Sequence, residues 1–74
     1  MPIFKLVAPS AGLVLHVRAR CISCARDVAA RGLGPEGPRT WRDPSLSSVE
    51  LARNPERLGF VAEGRRTILK REIT

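Results

Sequence analysis

The sequence predicts a small α+β domain, a short antiparallel sheet with one helix packed on one face. Three observations carry that expectation. Residues 13–19 alternate apolar and polar side chains with period two, the mark of a half-buried strand. From Cys21 to Arg31 the period lengthens to that of an amphipathic helix. Around both lie short segments rich in strand formers and punctuated by glycine and proline. The expected order is a β-hairpin, one helix and further strands, ββαββ-like, with residues 1–74 as a single basic domain.

The first strand covers Ile3 to Ala8, and Pro9-Ser10-Ala11-Gly12 supplies the turn into the second. In the second, Leu13, Leu15 and Val17 face one way, while Val14, His16 and Arg18 face the other. At about 100° per residue, Cys21, Ile22, Cys24, Ala25, Val28 and Ala29 fall within an arc of about 160°. Ser23, Arg26, Asp27, Ala30 and Arg31 occupy the rest, with Asp27 and Arg31 spaced i,i+4 on the wet side. Ile22, Ala25, Val28 and Ala29 are therefore expected to bury against Leu13, Leu15, Val17 and Leu69. Gly32 and Gly34 stop the helix and Pro35 prevents a restart. Residues 32–45 read as a loop carrying Trp41, either a lid on the core or an anchor on a binding surface.

Residues 45–53 support two readings. Val49 and Leu51 suit a strand, whereas Ser47-x-x-Glu50 is a capping box that opens a short helix. Strand is preferred, because Asn54-Pro55 would cut the helix to two turns. Asn54 and Pro55 then cap a turn over residues 55–59. Residues 58–62 and 66–73 read as two more strands about the turn Glu63-Gly64.

With 74 residues the chain buries roughly 60% of the surface it exposes when unfolded, so its core is thin. A hydrophobic share of 43% argues against disorder. No apolar run approaches the roughly 20 residues that span a bilayer. Residues 1–8 hold only Lys5 ahead of a broken apolar run, without a cleavage motif, so no signal peptide is read and a cytoplasmic location is expected. Thirteen basic residues against seven acidic give a net charge of +6, which favours acidic partners. Eleven of the thirteen are arginine. A functional basic surface and the codon bias of a GC-rich genome both produce that excess.

The motifs point away from catalysis. Cys21-Ile-Ser-Cys24 supports three readings. It is a pair of small apolar residues on the buried stripe, a dithiol at a helix start, or half of a zinc site shared between chains. The first is preferred, and no metal ligand set is assigned. Gly32-Leu-Gly-Pro-Glu-Gly37 matches a dinucleotide fingerprint by letter only. It follows a helix instead of a strand, Pro35 removes an amide donor, and Glu36 repels phosphate. His16, the single histidine, is expected at the surface. No nucleophile, base and orienting group fall into a pattern, so neither an enzyme nor a cofactor is expected.

Arg65, Arg66, Lys70 and Arg71 place four cations on the last strand, suited to phosphates or an acidic surface in a sequence-indifferent way. On a strand, 66 and 70 share one face while 65 and 71 share the other, and one of those pairs is expected to face solvent. Arg39, Trp41 and Arg42 cluster on the Gly/Pro loop, where partner-binding residues are often displayed.

The series Ala25-Arg26-x-x-Ala29, Glu36-Gly37-Pro38, Trp41-x-Asp43-Pro44 and Ser47-Ser48 resembles small proteins encoded by phages, prophages and high-GC bacteria, over roughly residues 17–51. The resemblance implies a strand, helix, loop, strand order. It also implies an accessory protein that docks on a host or defence protein, a nucleic-acid-handling complex among the candidates, and modulates or inhibits it. It brings no site residues with it. Direct nucleic-acid binding and a redox or inter-chain metal role for Cys21 and Cys24 are the alternatives.

Overall fold

The period-two segments pair into one sheet. In the computed structural model, which describes residues 1–32 and 34–74, β1 (Ile3–Ala8) and β2 (Leu13–Arg18) form an antiparallel hairpin. Their register runs from Ile3 opposite Arg18 to Ala8 opposite Leu13. A single 3-10 turn, Pro9–Ala11, joins them, and Gly12 follows at a left-handed φ of 65°. A residue with a Cβ would pay about 1–2 kcal/mol to sit there.

Strand β3 (Ser48–Leu51) adds to the outside of β1, and β4 (Thr67–Ile73) to the outside of β2. The sheet is antiparallel throughout, in the order β3-β1-β2-β4. Helix α1 (Ile22–Ala30) packs on one face, beside a four-residue helix α2 (Arg39–Arg42). This is the expected α+β architecture, with the ambiguous 45–53 stretch resolved as a strand. Among the described residues no helix is long and apolar enough to cross a membrane. Leu33, within the expected glycine-rich loop, lies outside the described residues.

The core lies between α1 and the sheet. Phe4, Leu6 and Ala8 of β1 and Leu13, Leu15 and Val17 of β2 project into it. Ala25, Ala29 and Ala30 meet them from the helix, and their small side chains let the backbones approach closely. Val28, Cys24, Val49 and Ile68 pack around this cluster. Trp41 is 0% exposed and closes one side of it.

Ala30, expected on the wet side, is buried, and α2 lies within the expected 32–45 loop; four further expectations need correction. Ile22, the first residue of α1, is 55% exposed, while Ala25, Ala29 and Ala30 supply the buried face of the helix. Ile68 takes the core place expected of Leu69: an irregularity in the β2–β4 ladder falls between the Val17–Ile68 and His16–Lys70 pairs. Residues 58–62 form no strand. After a 3-10 turn at Pro55–Leu58, in which the Asn54 side chain makes no capping hydrogen bond, the chain crosses the second face of the sheet irregularly.

That crossing overturns the fourth expectation, a wet face carrying His16. His16 is only 6% exposed, with its ring centroid 5.1 Å from that of Phe60. Burial lowers its pKa from the usual histidine value; Glu72 opposes this, while Lys5 and Lys70 reinforce it. Arg18, beside it, is 8% exposed and donates from Nε and Nη2 to the Val61 carbonyl (3.1 and 2.9 Å) and from Nη1 to the Arg65 carbonyl (3.1 Å). Gly64 permits this clasp, since a Cβ there would lie 2.5 Å from Arg18 Nη1.

Candidate arginine-lined interface

The i,i+4 spacing of Asp27 and Arg31 puts both side chains on the outer flank of α1, where Arg31 Nε lies 3.0 Å from Asp27 Oδ2. Arg42 reaches the other carboxylate oxygen from α2, at 3.2 Å. The Arg31 hydrogen bond, assisted by Arg42, holds the Asp27 carboxyl below its ordinary pKa. One acid is thus shared by two guanidinium groups and stays ionised.

Beside this trio a groove of about 460 Å3 runs between α1 and the start of β4. Asp27, Val28, Arg31 and Gly32 line it from the helix side, and Arg66, Thr67 and Ile68 from the strand side. Val28 and Ile68 also pack on the core, so part of the groove lining is apolar and continuous with it. Arg31, Arg42 and Arg66 against Asp27 leave a local charge of three minus one, or +2. Arg20, Arg53, Arg57, Arg65 and Arg66 make no ion pair among the described residues.

The structure divides the residues singled out from the sequence. Arg66 lines the groove and Arg42 borders it through Asp27. Arg39 stands in solvent, its side chain 87% exposed and 3.9 Å from Asp43. Arg65 is exposed as well. Trp41 offers no surface to a partner. Its Nε1 donates to Glu36 Oε2 at 2.6 Å, and its carbonyl accepts from Arg26 Nη1 at 3.0 Å. Arg26 further donates to the hydroxyl and carbonyl of buried Ser47 (2.9 and 3.0 Å), binding α1 to the chain ahead of β3.

Of the four cations assigned to the last strand, Arg65 and Arg66 precede β4, and Lys70 and Arg71 lie on opposite faces of it. The ladder irregularity near Leu69 breaks the period, so Ile68 pairs with Val17 on the helix face while Lys70 pairs with His16 on the other. Lys70 is engaged by Glu72 at 3.0 Å. Arg71, opposite Leu15, returns to the helix face and is taken up by Glu36. The Arg71 hydrogen bonds, with that of Trp41, lower the Glu36 pKa from 4.5 to about 2 despite its burial.

Asp27 and Arg31 were legible as a helix pair, but only the tertiary arrangement sets them beside Arg42 and Arg66. Cys21 and Cys24 are joined as a disulfide, with Cys21 as the N-cap of α1. Only Cys24 packs on the core, where the sequence suggested two buried thiols. Among the described residues no three His, Cys, Asp or Glu side chains gather in a metal-binding arrangement. Compared with protein-family models, curated proteins and solved structures, the chain finds no match.

Proposed function

We propose that this chain is a non-enzymatic binding module that docks on an acidic protein surface through the groove between α1 and β4. The observation that carries the reading is the pairing of Arg31 and Arg42 on the carboxylate of Asp27, with Arg66, which makes no ion pair among the described residues, lining the same groove beside Val28 and Ile68. Arginine forks match carboxylates in a bidentate way, and the apolar part of the lining suits a side chain set between acidic residues. The surplus positive charge elsewhere steers the approach and raises the on-rate. In the role implied by the sequence resemblance, the partner is a host or defence protein that the module modulates or inhibits.

A nucleic-acid partner is less well supported. Asp27 lies where a phosphate would approach, and it is held ionised by its neighbours. The aromatic side chains are also turned inward: Phe4 and Trp41 are buried, and Phe60 faces His16. Stacking on single-stranded bases needs exposed rings.

The test compares two variants of equal net charge on a polyglutamate column and on immobilised duplex DNA. Arg31→Glu/Arg66→Glu reverses the groove, while Arg53→Glu/Arg57→Glu reverses two unpaired cations outside its lining. The groove variant should elute from polyglutamate at distinctly lower salt than the control variant. Equal elution of the two would sink the groove as the site. Tighter retention on DNA than on polyglutamate, lost equally in both variants, would move the function to nucleic acid. Capture from bacterial lysate should then yield a partner that survives nuclease treatment and is lost with the groove variant.

A further inference from the structure

A second chemistry lies apart from the groove, at the opposite end of α1. Cys21 and Cys24 form a disulfide across the first turn of this nine-residue helix. Cys21 is the N-cap, in extended conformation, and its Sγ accepts the Cys24 backbone N–H at 3.1 Å. The Ser23 hydroxyl lies 3.3 Å from the same sulfur. The two sulfurs differ in setting: Cys24 packs on the core, while Cys21 stands outside the helix. Around them Arg20, Ile22 and Ser23 are all exposed, and Ile22 is among the large apolar side chains left in solvent.

We propose that Cys21 and Cys24 form a thiol–disulfide exchange centre, with Cys21 as the reactive sulfur and a dithiol on another molecule as substrate. A structural staple explains the pair poorly. The bridge closes a loop of only three residues' separation, and the entropy removed from an unfolded chain grows with loop length. The position instead favours a thiolate. A helix N-terminus presents free N–H groups and positive potential, and here one amide already points at Cys21 Sγ. Ile22 supplies an exposed apolar contact next to the sulfur, as a docking dithiol segment requires.

The reaction balances without a further reagent. A thiolate of the incoming dithiol attacks Cys21 Sγ, and the Cys21–Cys24 bond breaks with its electron pair leaving on Cys24 Sγ, which takes up a proton. The second thiol of the substrate loses its proton and attacks its own sulfur in the mixed disulfide. Cys21 is released as the thiolate, stabilised by the Cys24 N–H. The substrate is oxidised by two electrons, this chain is reduced by two, and the reverse reaction follows the same path.

The test uses the full chain, first reduced with excess dithiothreitol and then freed of it. Iodoacetamide at pH 7 should alkylate Cys21 at least about fivefold faster than free cysteine and ahead of Cys24, as read by peptide mass spectrometry. Cys24→Ala should accumulate a mixed disulfide at Cys21 with glutathione disulfide. Cys21→Ala should do so far more slowly at Cys24. The far-ultraviolet spectrum should be unchanged by reduction. Alkylation of Cys21 at the rate of free cysteine, preference for Cys24, or unfolding on reduction would each overturn the proposal.

Discussion

Arg71 closes on Glu36 across thirty-five residues, with Nη1 3.1 Å from Oε2 and Nη2 on Oε1. Oε2 also receives the Trp41 indole N–H, so one carboxylate joins the edge strand to the core tryptophan. The Glu36 side chain is 5% exposed, although Arg71 retains one-third of its own surface. Ionisation leaves both oxygens free to accept and gives the Arg71 contact its opposite charge.

An acid limb in stability follows. Glu36 has a folded pKa of about 2, below its ordinary 4.5. Its contribution is therefore fully present above about pH 4.5 and is lost as the pH falls toward 2. With allowance for solvent on the Arg71 side, the loss is about 1–2 kcal/mol. Urea titrations from pH 6 to pH 2.5 should show a steeper decline in the natural chain than in Glu36→Gln. The subtraction isolates this group from Asp27, Asp43 and Glu72, whose pKa values are lowered too. Parallel curves for the two proteins would refute the assignment.

Arg18 is the counterpart on the other face of the sheet. Its guanidinium is spent on the carbonyls of Val61 and Arg65, with no carboxylate among its hydrogen-bond partners. Arg18→Met keeps the length of the side chain but leaves both carbonyls without these donors. It should destabilise the domain by about 2–3 kcal/mol. It should also raise hydrogen exchange selectively between residues 59 and 66, since that segment has few other ties. If exchange rises evenly along the chain instead, the clasp is not what holds the segment down.

These ties also mark the limit of what was legible in the sequence. The hairpin and α1 could be read because each repeats its own period over several residues, and β3 because Asn54-Pro55 leaves no room for a helix. The ladder irregularity at Leu69 leaves no such trace. It puts Ile68 and not Leu69 on the helix face, and the ion pairs of Lys70 with Glu72 and of Arg71 with Glu36 leave no signal along the chain either. Likewise, Val14, His16 and Arg18 alternate like a wet face, yet residues 54–66 cover much of it without any periodicity of their own. The groove combines a local signal, Asp27 with Arg31, and a distant one, Arg66. Its four charged residues span forty positions, beyond the reach of any pattern along the chain.

Trp41 and Arg42 are neighbours in sequence with opposite roles, and this gives the last prediction. Trp41 is wholly buried, with its indole on Glu36, whereas Arg42 lies outside and is held to Asp27. A domain of this size has about 4–10 kcal/mol of stability in total. Trp41→Ala, at about 3–5 kcal/mol, should therefore remove about half of it and lower the melting temperature steeply. Trp41→Phe retains most of the packing and loses the Nε1 bond, costing about 1–2 kcal/mol, with retention on polyglutamate unchanged. Arg42→Glu breaks an exposed pair and should shift stability by no more than about 1 kcal/mol, yet lower the eluting salt clearly. A Phe variant that melts normally but no longer binds would restore Trp41 as an anchor and require the tryptophan to leave the core in the bound state.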